Sequence, residues 1–336
     1  MQLRFTKEED FRQERDFGAK IGATFEFVGA HWRPLGKCLV YFVLPVALLM
    51  GIGLGVLTNG MWNMTASRIQ SGAASTPYST GASFFNASYF FGIALAVIAG
   101  LLAFSMLLST LYAYVRILLI EEPTYAPTPS QVWTQIKPRF GRMFLALGLF
   151  FGLYVFLMAV FGSLIALTAF SGIGGVGVFL IFLLLIPLLF YVVVPLSLYF
   201  PALWMEDIGV LETLQRCFYL VRSHWWASLG LLIVAGMIQG LLTILFILPQ
   251  YAGMFGKMLK VPVLSSDAFG IAAQCFYACG VIFTYSVSLL AMLFQYFNLV
   301  EKKEGLGLRN LVANLGNGAA PAAYNSAYRP DEEGEY

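Results

Sequence analysis

Two histidine–tryptophan pairs, His31-Trp32 and His224-Trp225, stand just before long apolar runs almost two hundred residues apart. Imidazoles are common metal ligands, and two of them at equal depth in a membrane have the chemistry to hold a haem or a metal ion between them. The competing reading is physical. Tryptophan favours the headgroup level of a bilayer, and basic side chains favour its cytoplasmic edge. A third run is preceded by Arg139-Phe140, where the shared property is a basic or polar residue followed by an aromatic ring. No further ligand cluster accompanies the histidines. The sequence therefore favours His31, Trp32, Arg139, Phe140, His224 and Trp225 as interface anchors, with no cofactor or metal expected. On that reading the rings of Trp32 and Trp225 matter more to folding than the two imidazoles.

Other residue types that carry chemistry are thinly spread. Acidic groups close the even-numbered apolar runs: Glu121-Glu122, Glu206-Asp207, and Glu301 with Glu304. Carboxylates meeting below a helical bundle suit metal binding or acid–base work, but pairing with Arg116 or Arg216 is the expected arrangement. Cys38, Cys217, Cys275 and Cys279 show no paired spacing, and the last two sit one helical turn apart as small apolar fillers. Gly172-Ile-Gly174-Gly175-Val-Gly177 has no preceding strand and reads as a tight turn rather than a phosphate loop. No Walker loop, nucleophile elbow, zincin pair or Cys-x-x-Cys motif is present. Gln239, Gln274, Tyr285, Gln295 and Asn298 are the polar residues inside apolar runs. They suit interhelical hydrogen bonding or, as the alternative, a polar path for a solute. Ionisable groups in a bilayer usually mark ion pathways, and their absence from the centres of the runs argues against a proton-coupled pump.

The elements that position these residues follow from composition. Of 336 residues, 59% are apolar and 11% charged, and the mean hydropathy is +0.76. A soluble domain carries about 25% charged residues, so this chain must meet lipid. A span needs about 20 predominantly apolar residues. Six stretches qualify, about 38–59, 88–119, 143–170, 175–204, 226–248 and 269–300, giving an all-α polytopic membrane protein. Pro45 should kink the first span, and Pro187, Pro195 and Pro201 should bend the fourth. The membrane domain then covers 38–301, between an N-terminal segment at 1–37 and a tail at 302–336. The first segment mixes seven Lys or Arg with six Asp or Glu, unlike a signal peptide, so the first span should be uncleaved. Residues 317–336 lack apolar periodicity and should be disordered. Asn63-Met-Thr65 and Asn86-Ala-Ser88 fit glycosylation sequons beside a small, polar outer connector at 71–83. The net charge of +2 gives no footprint for nucleic acid.

Each inward segment also repeats an apolar pattern: Phe25, Val28, Trp32; Trp133, Ile136, Phe140; Phe218, Val221, Trp225; and Leu308, Leu311, Leu315 in the tail. This spacing places three side chains on one helical face and predicts amphipathic helices along the cytoplasmic face. Thr128-Pro129-Ser130-Gln131 adds a capping box at the start of the second, which Pro138 should bend or end early. Interfacial helix, span, outer turn, span and acidic exit thus recur three times, consistent with an internal repeat or with the general habit of amphipathic helices to precede spans.

Glu206 with Arg216-Cys-Phe-Tyr-Leu-Val-Arg222-Ser-His224-Trp225-Trp226 and Leu229-Gly230 resembles a recurring segment of uncharacterised bacterial multi-span proteins. These are similar to the membrane domain attached to some glycerophosphodiester phosphodiesterases. The resemblance covers mainly residues 200–250. In that family catalysis belongs to a separate soluble barrel, so the resemblance transfers no catalytic residue. The expected function is a non-enzymatic scaffold or accessory protein of the inner membrane, contacting lipid or another membrane protein. A small-solute or lipid facilitator is the alternative, and an intramembrane enzyme is disfavoured because no nucleophile–base pair is visible.

Of the 20 Lys and Arg, 17 fall on the side that holds both termini and 3 on the other, which predicts cytoplasmic termini. A reporter active only outside the cytoplasm should be silent when fused at Tyr336 and active at Ser79. Activity at Tyr336 contradicts this topology.

Overall fold

A computed structural model describes residues 5, 7–71, 87–121, 126–170, 174–307, 309 and 312. Most of the 71–83 connector, the Asn86 acceptor, Glu122, part of the turn at 172–177, the tail pattern Leu308, Leu311, Leu315 and residues 317–336 lie outside them. The described residues are helical, without strands. In chain order the helices are α1 (Glu8–Phe11), α2 (Phe17–Phe42), α3 (Leu44–Ser71), α4 (Ala87–Glu121), α5 (Pro129–Phe170), α6 (Gly174–Leu196), α7 (Tyr199–Met205), α8 (Val210–Val221), α9 (Trp225–Leu259) and α10 (Asp267–Glu304). Six stretches are long and apolar enough to cross a membrane: Leu44–Ala66, Ala87–Ile120, Pro129–Thr168, Gly175–Met205, Trp225–Leu259 and Asp267–Glu304. The chain is a multi-pass, all-α membrane protein. Helices suit lipid because each satisfies its backbone polar groups internally.

Proline decides where these helices break, though not always as the sequence suggests. The first break falls at Val43, just ahead of Pro45, so the first spanning helix starts at Leu44 rather than near residue 38. Proline has no N–H to donate to the carbonyl four residues back, here that of Tyr41, and its ring crowds that carbonyl. The fourth span divides at Ser197–Leu198, between Pro195 and Pro201, into α6 and α7. Pro138 and Pro249, by contrast, sit inside continuous helices. The third spanning helix therefore begins at Pro129 instead of 143, and the fifth continues past 248 to Leu259. Its start carries the expected capping box: the Thr128 N–H donates to Gln131 Oε1 at 2.8 Å, and the Gln131 N–H reaches back to Thr128 Oγ1 at 3.5 Å. The first spanning helix also outlasts its expected end, so Asn63 of the first sequon is helical. Its amide accepts from Lys257 Nζ at 2.8 Å and donates to Asp267 at 3.2 Å, beside the 2.7 Å Lys257–Asp267 ion pair.

The centre is a bundle of α3, α4, α9 and α10, with α2 crossing α10 and α4 at one end. Small residues set its spacing. A Cβ on Gly51 falls 2.5 Å from the Cα of Cys275, and one on Gly55 falls 2.9 Å from the Cα of Ile271. These two glycines, four apart, bring the backbones of α3 and α10 together, as small residues do where no water drives association. Gly53, on the other side, does the same toward α4, where its Cβ meets Ala96 N at 2.5 Å. The helices α5 and α6 are attached differently. Only 6% of the apolar stretch of each is buried, against 11% in α9, 33% in α3 and α4 and 50% in α10. They form a hairpin that leans on α4 through α5 and on α8 through α6, with little contact between α6 and the bundle's α9.

The predicted apolar patterns are not equivalent in their surroundings. On α2 the buried face runs through Thr24, Phe27, His31, Leu35 and Cys38, whereas Phe25 and Trp32 of the predicted stripe point outward. On α5, Ile136 is buried and Trp133 exposed; on α8, Val221 is buried and Phe218 exposed.

Candidate functional site at the charged end of the bundle

The ends of α4, α5, α7, α8 and α10 meet around two adjacent carboxylates, Glu206 and Asp207, in the turn after α7. Asp207 adopts a left-handed backbone with φ of 54°, a conformation that aspartate tolerates better than most side chains. The turn aims its carboxylate at three guanidiniums. Arg116 Nη2 donates at 2.6 Å, Arg139 Nε at 3.0 Å and Arg142 Nη2 at 2.9 Å. Arg139 and Arg142 lie one turn apart on α5, and Arg116 comes from the last turns of α4. Two of the same guanidiniums close the end of α7: Arg116 donates to the Trp204 carbonyl at 2.8 Å and Arg142 to that of Leu203 at 3.0 Å. Cations at a helix C-terminus satisfy its orphan carbonyls and oppose its dipole. Partial burial pushes the Asp207 carboxyl up, but the hydrogen bonds from Arg139, Arg116 and Arg142 outweigh it and hold the group well below the usual carboxylate range.

Glu206 serves a second knot. Arg216 Nε from α8 donates to its two oxygens at 3.0 and 2.9 Å, and the Tyr296 hydroxyl from α10 donates at 2.7 Å. Arg216 also pairs with Glu304 near the end of α10. Its pKa is held above the ordinary arginine value by the hydrogen bond it donates to Glu304 and then by those to Glu206, with burial opposing both. Between the knots is a cavity of about 590 Å³, lined by Arg116, Glu206, Arg216, Tyr296 and Glu304, with Glu8 and Arg12 at its N-terminal side. Glu8 and Arg12 pair with each other at 2.7 Å. Each carboxylate on this cavity already accepts from a cation. The arrangement suits electrostatic fastening of five elements, and it leaves no lone carboxyl poised for proton transfer.

The six expected anchors do not share one role. His31 is fully buried, with Nδ1 2.8 Å from the Tyr114 hydroxyl and its ring stacked 4.8 Å from Phe27. It is a core residue and not an exposed anchor, because the buried face of α2 passes through position 31. His31 joins α2 to α4, while Trp32 is 60% exposed and packs under Arg33. Arg139 is likewise corrected, since its guanidinium is bound to Asp207. Phe140 is half-buried against Phe144. His224 precedes α9 and pairs with Ser223 Oγ at 2.9 Å; Trp225 is half-buried against Tyr191, and it is the neighbouring Trp226 that is 79% exposed. The two histidines thus have separate partners. Among the described residues, no three His, Cys, Asp or Glu side chains cluster as metal ligands.

The five polar candidates do not converge either. Gln239 accepts from Ser288 at 3.0 Å and Gln295 donates to Ser228 at 2.8 Å, both across the α9–α10 seam, where Thr243 and Thr284 also pair. Tyr285 packs edge-on to Phe104 of α4. Asn298 accepts from the backbone N–H of Arg15 at 2.8 Å and so pins the N-terminal segment. Gln274 is buried, and its carbonyl oxygen has no partner. The sequence had paired acids with Arg116 and Arg216, and those pairs exist. It had not shown that three arginines share Asp207. The only local hint is the i, i+3 spacing of Arg139 and Arg142. Comparison of the chain with protein-family models, curated proteins and solved structures finds no match.

Replacing Asp207 with Asn removes the charge that three guanidiniums share and should lower the melting temperature in detergent by a few degrees. Because the folded-state pKa is depressed, the charge contributes stability above the unfolded value of about 4 and loses it as pH falls through the depressed value. The difference between wild type and D207N, followed by thermal unfolding, should be full at pH 7 and shrink below about pH 4. A difference independent of pH contradicts the charge-based account.

Proposed function

We propose that this chain is a non-enzymatic scaffold or accessory protein of the inner membrane, whose α5–α6 hairpin is the surface that contacts lipid or a partner's transmembrane helix. The carrying observation is the contrast in burial: only 6% of each hairpin stretch is buried, while α3, α4 and α10 of the bundle bury 33%, 33% and 50% of theirs. Leu184 on α6 is 73% exposed, whereas Leu293 on α10 is 1% exposed. The interior polar groups support the same reading. Gln239–Ser288, Gln295–Ser228 and Thr243–Thr284 bond in pairs across the α9–α10 seam, which weighs against the facilitator alternative. The carboxylates at the charged end are bound to arginines, which weighs against acid–base catalysis. The excess of Lys and Arg at that end supports placing it, with both termini, in the cytoplasm. The resemblance of residues 200–250 to a phosphodiesterase-associated membrane domain fits an accessory role, since catalysis there lies outside the membrane part.

Photo-reactive side chains at Leu184 and Leu293 test this in native membranes. Leu184 should cross-link to lipid or to another polypeptide, and Leu293 to neither. The purified chain in vesicles loaded with ions, sugars and amino acids should leave their leakage at the level of empty vesicles. Saturable solute flux, or equal cross-linking at both positions, overturns the scaffold reading.

A further inference from the structure

Beside the charged knots, α6, α8 and α9 enclose a groove of about 480 Å³. Its wall is largely aromatic: Tyr191 and Pro195 from α6, Phe218 and Tyr219 from α8, and Trp225 from α9. Tyr191 lies against Trp225, with centroids 6.5 Å apart and planes inclined 26°, and 6.4 Å from Phe218. The wall continues into the open apolar face of α6, where Leu184 and Leu188 are exposed.

The rim is cationic. Arg222, just past the end of α8, is exposed and makes no ion pair among the described residues. Lys303 of α10 places its ammonium 4.1 Å from the centre of the Tyr219 ring and donates to the Tyr219 carbonyl. Arg222 lies within electrostatic reach of Lys303, where Glu304 opposes it, and Lys302, Lys303 and Lys20 outnumber Glu14 in the field at His224. Glu304, the acid nearest in sequence, is bound to Arg216. Cations in excess of the acids beside them favour an anion between them.

The two halves of the groove call for one occupant with two chemistries. A free phosphate satisfies only the rim, and a neutral lipid only the wall. We propose that this groove binds an anionic phospholipid, its phosphate between Arg222 and Lys303 and an acyl chain along Tyr191 and the open face of α6. The proposal rests on the reading that the chain contacts membrane lipid, and it adds selectivity for charge and a position.

Lipid binding is measured by titrating detergent-purified full chain with phosphatidylglycerol, with phosphatidylcholine of the same acyl chains, and with inorganic phosphate. Thermal shift and native mass spectrometry are the readouts. Phosphatidylglycerol should raise the melting temperature in a saturable way and remain bound in the spectrometer; the other two should not. The double variant R222Q/K303Q should bind it about thirtyfold more weakly, at roughly a factor of five for each charge near an anionic surface, and the charge-keeping R222K/K303R should restore it. The wild-type comparison requires no variant, so a misfolded mutant does not decide the result. Equal responses to the two lipids, an equal response to phosphate alone, or undiminished binding by R222Q/K303Q with its unliganded melting temperature unchanged each overturns the proposal. A failure of selectivity alone leaves the wider scaffold reading in place, whereas solute flux removes that reading.

Discussion

Asp207 and the three guanidiniums that surround it fix how the two unequal parts of this protein meet. Arg116 belongs to the tightly packed bundle, Arg139 and Arg142 to the hairpin, and Asp207 to the turn that follows it. One carboxylate thus ties both limbs of the hairpin to α4 at a single end. Removing one member of such a cluster leaves partly buried like charges facing each other, which is why breaking it costs more than a single exposed ion pair. The second knot, Glu206–Arg216–Glu304, extends the fastening to α8 and α10. At the opposite end, Lys257, Asp267 and Asn63 join α9, α10 and α3, and no described contact there reaches the hairpin.

This asymmetry follows from what packs helices in lipid. Apolar surface alone does not drive them together, because lipid tails are as apolar as leucine. Close association needs small residues or polar contacts. The first spanning helix has glycines at 51, 53 and 55 that admit its neighbours to backbone contact. The α9–α10 seam has Ser228, Gln239, Thr243 and Ser288. Past the glycines at its start, the α6 stretch, rich in Leu, Phe, Ile and Val, has neither device. It gains little from the bundle and remains open to lipid or to another helix. The polar tie at Asp207 adds to the packing of α5 residues such as Ile136 and Met143 on the core.

Much of the architecture was legible in the sequence because spans are written in one strong signal, runs of about 20 apolar residues. Six were readable, along with the capping box at Thr128 and the break in the fourth span. Boundaries were harder, because hydropathy marks where lipid begins and not where a helix does: α5 starts at Pro129 with a stretch that carries Lys137, Arg139 and Arg142, and the helix through Pro138 tolerates one lost hydrogen bond. The role of His31 was not legible. Position 31 sits beside an exposed tryptophan, and only the register of α2 turns it inward to Tyr114. Arg139 was misassigned for a related reason, since its partner lies 68 residues away in sequence. The glycines at 51 and 55 carried a readable four-residue spacing that composition alone obscured.

The central claim is that the polar tie at Asp207, with the apolar contacts of Ile136, Met143 and Ala146 near that end, holds the hairpin to the bundle while its far end is unfastened. Its consequence is largest at the end remote from Asp207, where α6 begins. Spin labels incorporated at Val176 and at Val263, which are 65% and 73% exposed, report the distance between hairpin and bundle there in lipid nanodiscs. The account predicts a narrow distance distribution in the wild type and a broad or shifted one in D207N, with both proteins fully inserted. Equally narrow, superimposable distributions in the two proteins would contradict it.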